Sequence, residues 1–176
     1  KNQALLAMAA RDIPLPVVLI GDVGDPGYLQ HVKRVGGAKI RHIERIGDQR
    51  MLASAYAGAS VFVLPSWCEG APLAALEAGL VGAPLVLSDM SSEQEYFVSN
   101  AEYVSPGDVL GIRAAIIRTL ARNESDHDRL YRQAQLRRNY SEEIHVGKTL
   151  ELYQSLAVAK ATPTRANPLY LDVSSL

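Results

Sequence analysis

Residues 61–80 read VFVLPSWCEGAPLAALEAGL, and this stretch decides the fold. Its first four residues are apolar and include two valines, which is typical of a short strand buried on both faces. Pro65 ends the strand. Pro72 suits the first turn of a helix, where a missing N–H costs no intrahelical hydrogen bond, and the residues after it predict that helix. The stretch therefore predicts a strand, a loop and a helix in that order.

The same pattern recurs along the chain, with short apolar runs between stretches of helical periodicity. The predicted strands are residues 17–20, 40–46, 61–64, 84–87 and 103–104. Short apolar strands that alternate with helices favour a parallel sheet covered by helices on both faces, with right-handed crossovers. We therefore predict an α/β, Rossmann-like domain.

The remainder of the chain predicts the domain organisation. Two helical patterns follow the sheet, at residues 126–138 and 142–158, so we expect C-terminal helices. We assign residues 1–158 to one domain, and residues 159–176, which contain two prolines, to an extended tail. The chain starts with Lys rather than Met and lacks a signal-peptide pattern, so we expect a fragment or a processed chain.

The composition narrows the class of protein. The chain has 176 residues, of which 48% are apolar and 21% are charged, as in one globular domain. Its net charge of −1 excludes an overall basic field for binding nucleic acid. The single cysteine, Cys68, excludes an internal disulfide framework, and the four histidines lack the spacing of metal ligands. No apolar run is long enough to predict a membrane span.

Ligands of parallel α/β sheets bind beyond the carboxyl ends of the strands, so the loops at those ends are the candidate sites. These loops are predicted at residues 21–27, 46–49, 65–72 and 88–92. After the third loop, the amides of Leu73, Ala74 and Ala75 would begin a helix without intrahelical partners. Together with the helix dipole they predict an anion site.

Two carboxylates flank this predicted anion site. Glu69 precedes the helix and Glu77 lies inside it. Two carboxylates would repel a bare phosphate. They can accept hydrogen bonds from the vicinal hydroxyls of a sugar, however, while the amides hold the phosphate charge. On spacing alone, a helix with one loop acid and one surface acid is the simpler interpretation.

Both glutamates lie within P-S-x-x-E-G-x-P-L-x-x-L-E-A, which resembles the signature of retaining glycosyltransferases of family 4, enzymes with the GT-B fold. The resemblance continues on both sides of this motif. The other matching segments are residues 1–3, 52–66, 82–89, 140–142 and 148–153. Together they cover roughly residues 1–158, and the resemblance implies the donor-binding C-terminal half of a GT-B fold enzyme.

The resemblance implies a role for each matching residue. Glu69 would contact a hydroxyl of the transferred sugar near the reacting carbon and act in catalysis, and Glu77 would bind the ribose hydroxyls. Lys1 would hold the diphosphate together with an arginine upstream of this sequence. The other donor-binding candidates are the backbone amides of Gly70, Ala71, Leu73 and Ala74, then Arg45 and Ile46 near the base, and Gly21 in a loop that lines the cleft.

The implied activity is transfer of a hexose-type sugar from a nucleotide-diphosphate sugar to an acceptor hydroxyl. The anomeric configuration would be retained, without a metal, a cofactor or a protein nucleophile. The acceptor would be a saccharide or a lipid-linked molecule, bound by an N-terminal domain that this sequence lacks, so we expect the fragment alone to transfer nothing. The resemblance also implies polysaccharide or glycolipid assembly in the cytoplasm, with peripheral contact at the inner membrane face. Many members have Gly-Phe-Gly where this chain has Gly-Ala-Pro at residues 70–72, which leaves the sugar undetermined.

A second function stays open, namely a nucleotide-sugar-binding or interaction domain that uses the same fold without catalysis. A dehydrogenase is disfavoured. The glycines of residues 21–27 follow a strand, but their G-x-x-G-x-x-G spacing differs from the dinucleotide fingerprint. In addition, Glu44, which stands where a ribose-binding acid is expected, lies inside a predicted strand.

Two further patterns make structural predictions. Ser92 and Glu95 are spaced as a capping box that begins a short helix. Arg132, Arg137 and Arg138 lie in a late predicted helix. They suit a solvated helical face better than contact with anionic lipid head groups.

Overall fold

The computed structural model describes residues 1–161, which form eight α-helices and five β-strands. The helices are α1 (Gln3–Ala10), α2 (Pro26–Gly36), α3 (Gln49–Ala57), α4 (Leu73–Leu80), α5 (Glu93–Phe97), α6 (Val109–Ala121), α7 (Asp126–Tyr140) and α8 (Glu142–Ala161). The strands are β1 (Val17–Ile20), β2 (Ile40–Ile43), β3 (Phe62–Leu64), β4 (Leu85–Ser88) and β5 (Glu102–Val104). The contacts divide the chain into two compact units, of which the first is Lys1–Arg137 and the second begins at Arg138.

All strand pairs are parallel, as the sequence predicts. β1 pairs with β2, with Val17 opposite Ile40, and β3, β4 and β5 form a second hydrogen-bonded group in that order. In the larger group Phe62 lies opposite Leu85. Because neighbouring strands run in the same direction, their carboxyl ends gather at one edge, and the predicted ligand-binding loops follow those ends.

Helices cover both faces of the larger sheet, which confirms the α/β, Rossmann-like prediction. β4 is buried along its whole length, and successive side chains of a strand point to opposite faces. Val86 belongs to a core cluster with residues of α1 and α6. On the other face α4 approaches so closely that a Cβ on Gly79 would lie 3.3 Å from Leu85 Cδ1 and 2.6 Å from Leu136 Cδ1.

Helix α1 packs against both groups of strands. Its Leu6 and Ala9 belong to the cluster around Val86, whereas Ala7 belongs to a second cluster with residues of α2 and β2. Val17, at the start of β1, packs against both clusters. The small side chains of α1 allow this close approach on two sides, and the helix therefore lies between the two clusters.

β1 is less buried than the sequence predicts. A strand buried on both faces was expected, but Val18 is 46% exposed and no residue of β1 is fully buried. The physical reason is that, within the described part of the chain, β1 has a neighbouring strand on one edge only. Among residues 1–161, β1 pairs only with β2 and β3 only with β4, so each has one unpaired edge. Since Val17 and Val63 pack on the same core cluster, β1 and β3 border the same core.

Two boundaries differ from the prediction by three residues. β2 ends at Ile43 rather than at residue 46, so Glu44 follows the strand, and the expectation that it lies inside a strand is wrong. At the other end, α8 continues to Ala161, three residues beyond the predicted domain boundary at 158. The rest of the predicted tail, residues 162–176, lies outside the described residues.

Aspartate side chains cap three helices, α2, α3 and α6, as expected for this residue at an N-cap. Asp48 Oδ1 accepts hydrogen bonds from the amides of Arg50 and Met51 at 2.8 and 3.3 Å, which fixes the start of α3. Asp108 Oδ1 accepts one from the amide of Gly111 at 2.9 Å at the start of α6. None of the described helices is both long enough and apolar enough to span a membrane.

Candidate functional site

The carboxylate of Glu69 stands in the loop after β3 and is held through one oxygen. Lys1 Nζ and Ser66 Oγ both donate to Oε1, at 2.5 and 2.7 Å. The Glu69 side chain is only 6% exposed, and its Oε2 bonds to no residue that the structure describes. Burial alone would raise the pKa of Glu69, but the hydrogen bonds from Lys1 and Ser66 outweigh it and hold the pKa below its usual range. Glu69 is therefore an ionised acceptor with one oxygen uncommitted.

Two serines from the loop after β4 hold the backbone of Glu69. Ser91 Oγ accepts from the Glu69 amide at 2.6 Å and donates to the Glu69 carbonyl at 2.9 Å. Ser92 Oγ donates to the carbonyls of Glu69 and Gly70 at 3.0 and 2.9 Å. The predicted capping box is therefore wrong, because the Ser92 hydroxyl bonds across to the other loop and makes no cap hydrogen bond to α5. We call Ser91 and Ser92 the serine clamp.

The amino end of α4 faces solvent beside Glu69. Pro72 is buried and serves as the N-cap, one residue before the helix begins. The Leu73 amide donates to the Ala71 carbonyl at 2.9 Å, so the expectation that this amide is unpaired is wrong. The amides that make no hydrogen bond to any described residue are those of Gly70, Ala71, Ala74 and Ala75. Ala75 is completely buried, so the amides of Gly70, Ala71 and Ala74, together with the helix dipole, can hold an anion.

Asn2 fixes the position of Lys1, and the sequence prediction missed this role. Asn2 adopts a left-handed conformation with φ of 63°, which asparagine tolerates better than most residues. Its Nδ2 donates to the carbonyls of Pro65 and Pro106 at 2.9 and 2.8 Å. This amide ties the loops after β3 and β5 to the start of α1, which places Lys1 beside Glu69. The sequence signal was an Asn before a helix, which usually indicates an N-cap.

Glu77 is exposed on α4, one turn inside the helix, and contacts α3. Tyr56 Oη donates to Glu77 Oε2 at 3.2 Å, and the Tyr56 ring packs edge-on against Phe62 with centroids 5.6 Å apart. Burial, together with the negative charge of Glu77, raises the pKa of Tyr56 to about 12. Tyr56 therefore stays a hydrogen-bond donor at neutral pH. Glu77 Oε1 bonds to no described residue and is available to a ligand.

Gly21 ends β1 at the same edge of the fold. Its φ of 141° is a conformation that side chains rarely allow, which explains a glycine here. Its amide donates to the Ile43 carbonyl at 3.1 Å, and its carbonyl accepts from His42 Nε2 at 2.8 Å. The loops after β1 and β2 are thereby joined. Tyr28, at the start of the next helix, accepts a hydrogen bond from the amide of Ala4 at 3.1 Å and links this region to α1.

The two predicted residues near the base lie in the loop after β2. The Arg45 side chain is 78% exposed. Its Nη1 lies 3.9 Å from Asp22 Oδ2, so the two side chains form an exposed ion pair. Ile46 is half-buried. The structure thus brings Lys1, Glu69 and the amides of α4 together. It places Gly21, Arg45 and Ile46 on neighbouring loops that share no hydrogen bond with Glu69 among residues 1–161.

One of the three arginines predicted in the late helix, Arg132 in α7, forms an ion pair. Arg132 is only 12% exposed and forms two hydrogen bonds with the carboxylate of Glu124, at 2.7 and 2.6 Å. The expectation that Arg132 lies on a solvated face is therefore wrong, whereas Arg137 and Arg138 are exposed. Within the described part of the chain, no group of three His, Cys, Asp or Glu side chains is placed to hold a metal ion.

A parallel sheet flanked by helices, with a polar site at the carboxyl ends of its strands, defines a Rossmann-like domain of the kind found in GT-B glycosyltransferases. The chain belongs to the group 1 glycosyl transferases, because the model of that family matches residues 2–122. This result confirms the glycosyltransferase resemblance of the motif around Glu69 and Glu77 at the level of group 1. A comparison with curated protein sequences gave no match.

Solved structures that share this fold include glycosyltransferases and related synthases. Sucrose-phosphate synthase from Thermosynechococcus elongatus superposes with a TM-score of 0.74 at 24% identity, over 90% of this chain and 43% of that one. AviGT4, a glycosyltransferase involved in avilamycin A biosynthesis, gives 0.71 at 23% identity, over 89% and 48%. The lipopolysaccharide outer core galactosyltransferase WaaB gives 0.67 at 18% identity, over 87% and 44%. The chain thus spans less than half the length of each of these structures.

Proposed function

We propose that this chain is the donor-binding half of a retaining glycosyltransferase that takes a hexose-type sugar from a nucleotide-diphosphate sugar. One observation carries the proposal. An exposed helix amino end with unpaired amides lies between two carboxylates, and Lys1 reaches the same place. Amides and a lysine suit a diphosphate, and carboxylates suit sugar hydroxyls, so the site matches both parts of such a donor.

The diphosphate is held at the amino end of α4. The amide of Ala74 donates to its oxygens, with those of Gly70 and Ala71 beside it, and the helix dipole adds to the attraction. Lys1 is bonded to Glu69 in the free chain and turns to the diphosphate when the donor enters. Charge that develops on the leaving diphosphate is stabilised by these same groups, without a metal or a cofactor. The Leu73 amide takes no part, because it is bonded to the Ala71 carbonyl.

Glu69 acts on the transferred sugar. Its uncommitted Oε2 accepts a hydrogen bond from a sugar hydroxyl, and its charge favours the positive charge that grows at the anomeric carbon. The low pKa of Glu69 keeps this carboxylate ionised at neutral pH. The acceptor oxygen bonds to the anomeric carbon on the face from which the diphosphate oxygen leaves, and the diphosphate takes the proton of the incoming hydroxyl. The configuration is therefore retained without a protein nucleophile.

The nucleoside lies between α4 and the loops after β1 and β2. Glu77 Oε1 accepts a hydrogen bond from a ribose hydroxyl while Tyr56 holds Oε2. Arg45 and Ile46 border the base, and Gly21 lines the cleft without a side chain that would obstruct it. The loops after β1 and β2 are already joined through Gly21 and Ile43, which gives this part of the site a fixed shape.

The whole enzyme needs parts outside this sequence. An acceptor-binding domain would bring a saccharide or a lipid-linked acceptor to the diphosphate at Lys1. A further parallel strand would fill the space beside the unpaired edges of β1 and β3, and α1 would be its crossover helix. Such an enzyme would work in the cytoplasm on polysaccharide or glycolipid assembly, with peripheral contact at the inner membrane face.

Kinetics of the enzyme that joins this domain to its acceptor domain test the proposal. Glu69→Ala should lower kcat far more than donor affinity, because its interaction strengthens in the transition state. Nuclear magnetic resonance of the product should show the donor's anomeric configuration. Equal losses in kcat and donor affinity would refute the catalytic role of Glu69, and an inverted product would refute retention.

A further inference from the structure

Glu93 is the first residue of α5 and is completely buried, with 0% of its surface exposed. Neither of its carboxyl oxygens has a hydrogen-bond partner among the residues that the structure describes. The hydroxyl of Tyr103, on β5, is also buried and has no hydrogen-bond partner among the described residues. Buried polar atoms without partners cost free energy, so a carboxyl in this position needs an explanation.

Glu93 directly follows the serine clamp in sequence. Ser91 and Ser92 make four hydrogen bonds to the backbone of Glu69 and Gly70, so the clamp sets where Glu69 stands. Because Glu93 is adjacent to Ser92, the buried position of its side chain fixes the end of the clamp against the core. A movement of the Glu93 backbone out of the core would displace the adjoining Ser92.

The surroundings of Glu93 favour its neutral form. Burial raises the pKa of Glu93, and the negative charge of Glu69 raises it further. The nearby backbone amide of Glu93, the nearby Ser91 hydroxyl and the positive charge of Lys1 oppose the increase, although neither nearby group forms a hydrogen bond of good geometry with the carboxyl. On the adjoining strand, burial and then the charge of Glu93 raise the pKa of Tyr103 to about 12, so this hydroxyl is neutral too. Among the described residues, the titratable groups coupled electrostatically to Glu93 are thus Glu69, Lys1 and Tyr103.

We infer that Glu93 is a positioning residue that anchors the serine clamp as a buried neutral acid, and that its ionisation releases the clamp from Glu69. A carboxylate buried without a partner is strongly disfavoured, so the ionised side chain moves to water and takes Ser92 with it. The consequence for a bound donor rests on the proposed function, because it assumes that Glu69 contacts the sugar.

This role makes clamp opening depend on pH in a defined direction. In the closed state the serine clamp holds Glu69 and the Glu93 side chain is buried, and in the open state the clamp is released and Glu93 is in water. Glu93 ionises at the ordinary pKa of a glutamic acid in the open state, whereas in the closed state it keeps its proton up to its raised pKa. Between these two values the open state loses its proton first. The opening equilibrium then rises by up to about tenfold for each pH unit. At pH values below the ordinary pKa, and at pH values above the raised pKa, the opening equilibrium does not change with pH.

Hydrogen exchange of the amides in residues 89–97 tests the inference on the 176-residue chain without any ligand. The matched variant is Glu93→Gln, whose side chain has the shape of glutamic acid and cannot ionise. Glu93→Leu is a second variant that cannot ionise, and it places no polar group in the core. Glu151→Gln, at an exposed position of α8, is the control. The exchange rate of the wild type divided by that of Glu93→Gln should rise with pH, and Glu151→Gln should follow the wild type. A ratio that stays constant with pH, for both Glu93 variants, overturns the inference.

Binding of UDP, GDP and ADP then tests the effect on the site. For the nucleotide that binds, affinity of the wild type should fall with rising pH relative to Glu93→Gln, by several-fold over the pH range in which exchange changes. Equal pH profiles would overturn the link from the clamp to Glu69. If none of the three binds, the proposed function fails, while the exchange experiment still decides the role of Glu93.

Discussion

Tyr56 donates a hydrogen bond to Glu77 across the contact between α3 and α4, with 3.2 Å between Tyr56 Oη and Glu77 Oε2. This bond leaves Glu77 Oε1 as the oxygen for a ligand. The ring of Tyr56 is itself oriented by its edge-on contact with Phe62, the first residue of β3. The orientation of the Glu77 carboxylate is therefore determined by the packing of the strand that leads into the site.

Removal of the Tyr56 hydroxyl should loosen Glu77 without unfolding the chain. Tyr56→Phe keeps the ring contact and deletes one partly exposed hydrogen bond, so the free energy of unfolding should change by about 1 kcal/mol or less. Affinity for a nucleoside diphosphate should fall roughly five-fold. Calorimetric titration with the ribonucleotide and with its 2′,3′-dideoxy analogue measures this effect. An equal loss for both nucleotides would contradict a role through the ribose hydroxyls.

The pKa of Tyr56 offers a spectroscopic check on the same contact. Burial is its main cause and the charge of Glu77 is the second, so Glu77→Gln should lower the pKa of Tyr56 from about 12 towards its ordinary value. Ultraviolet titration of tyrosine ionisation, compared with the same titration of Tyr56→Phe, isolates this group. An unchanged pKa of Tyr56 in Glu77→Gln would mean that the side chains of Tyr56 and Glu77 are apart in solution.

Glu69 makes stability depend on pH at the acid end. Its folded-state pKa lies below the unfolded value, so it contributes stability above the unfolded pKa, and this contribution is lost as pH falls through the folded pKa. Lys1→Met removes one of the two hydrogen bonds to Oε1 and should raise the pKa of Glu69. Carboxyl carbon chemical shifts across an acid titration measure it. An unchanged pKa in Lys1→Met would show that the ion pair does not form.

A pair of glycine substitutions tests the packing of α4. A Cβ on Gly79 would lie 2.6 Å from Leu136 Cδ1, so Gly79→Ala should destabilise the fold by about 1–3 kcal/mol. Gly147→Ala in α8 meets nothing within 4 Å and should stabilise by about 0.5–1 kcal/mol through helix propensity. Chemical denaturation of both variants gives the comparison. Similar shifts in the two would contradict the close approach of α4.

Much of the fold could be predicted because its signals are local. The apolar runs of β3 and β4 and the aspartate caps of α3 and α6 are each visible within a few residues, and their alternation predicts parallel pairing. The exposure of Val18 could not be predicted in this way. It depends on which strand edges are paired, and pairing joins residues that are far apart in sequence.

The site was predicted through its acids and its helix, and the partners of those groups were missed. Ser91 and Ser92 lie 22 and 23 residues from Glu69, so nothing in the local sequence connects them. Ser92 matched a capping box and was assigned to its own helix. Glu93 resembles an ordinary acid in the first turn of a helix, where acids are usually solvated. Its complete burial follows from tertiary packing alone.

The most direct test of the account is calorimetric titration of the chain with a panel of UDP-, GDP- and ADP-sugars. The comparison uses the wild type, Glu77→Gln and the exposed control Glu151→Gln. We expect one nucleotide class to bind, Glu77→Gln to weaken it by about tenfold, and Glu151→Gln to leave it unchanged. Failure of every donor to bind, or equal affinity in Glu77→Gln and the wild type, would contradict the proposed donor site.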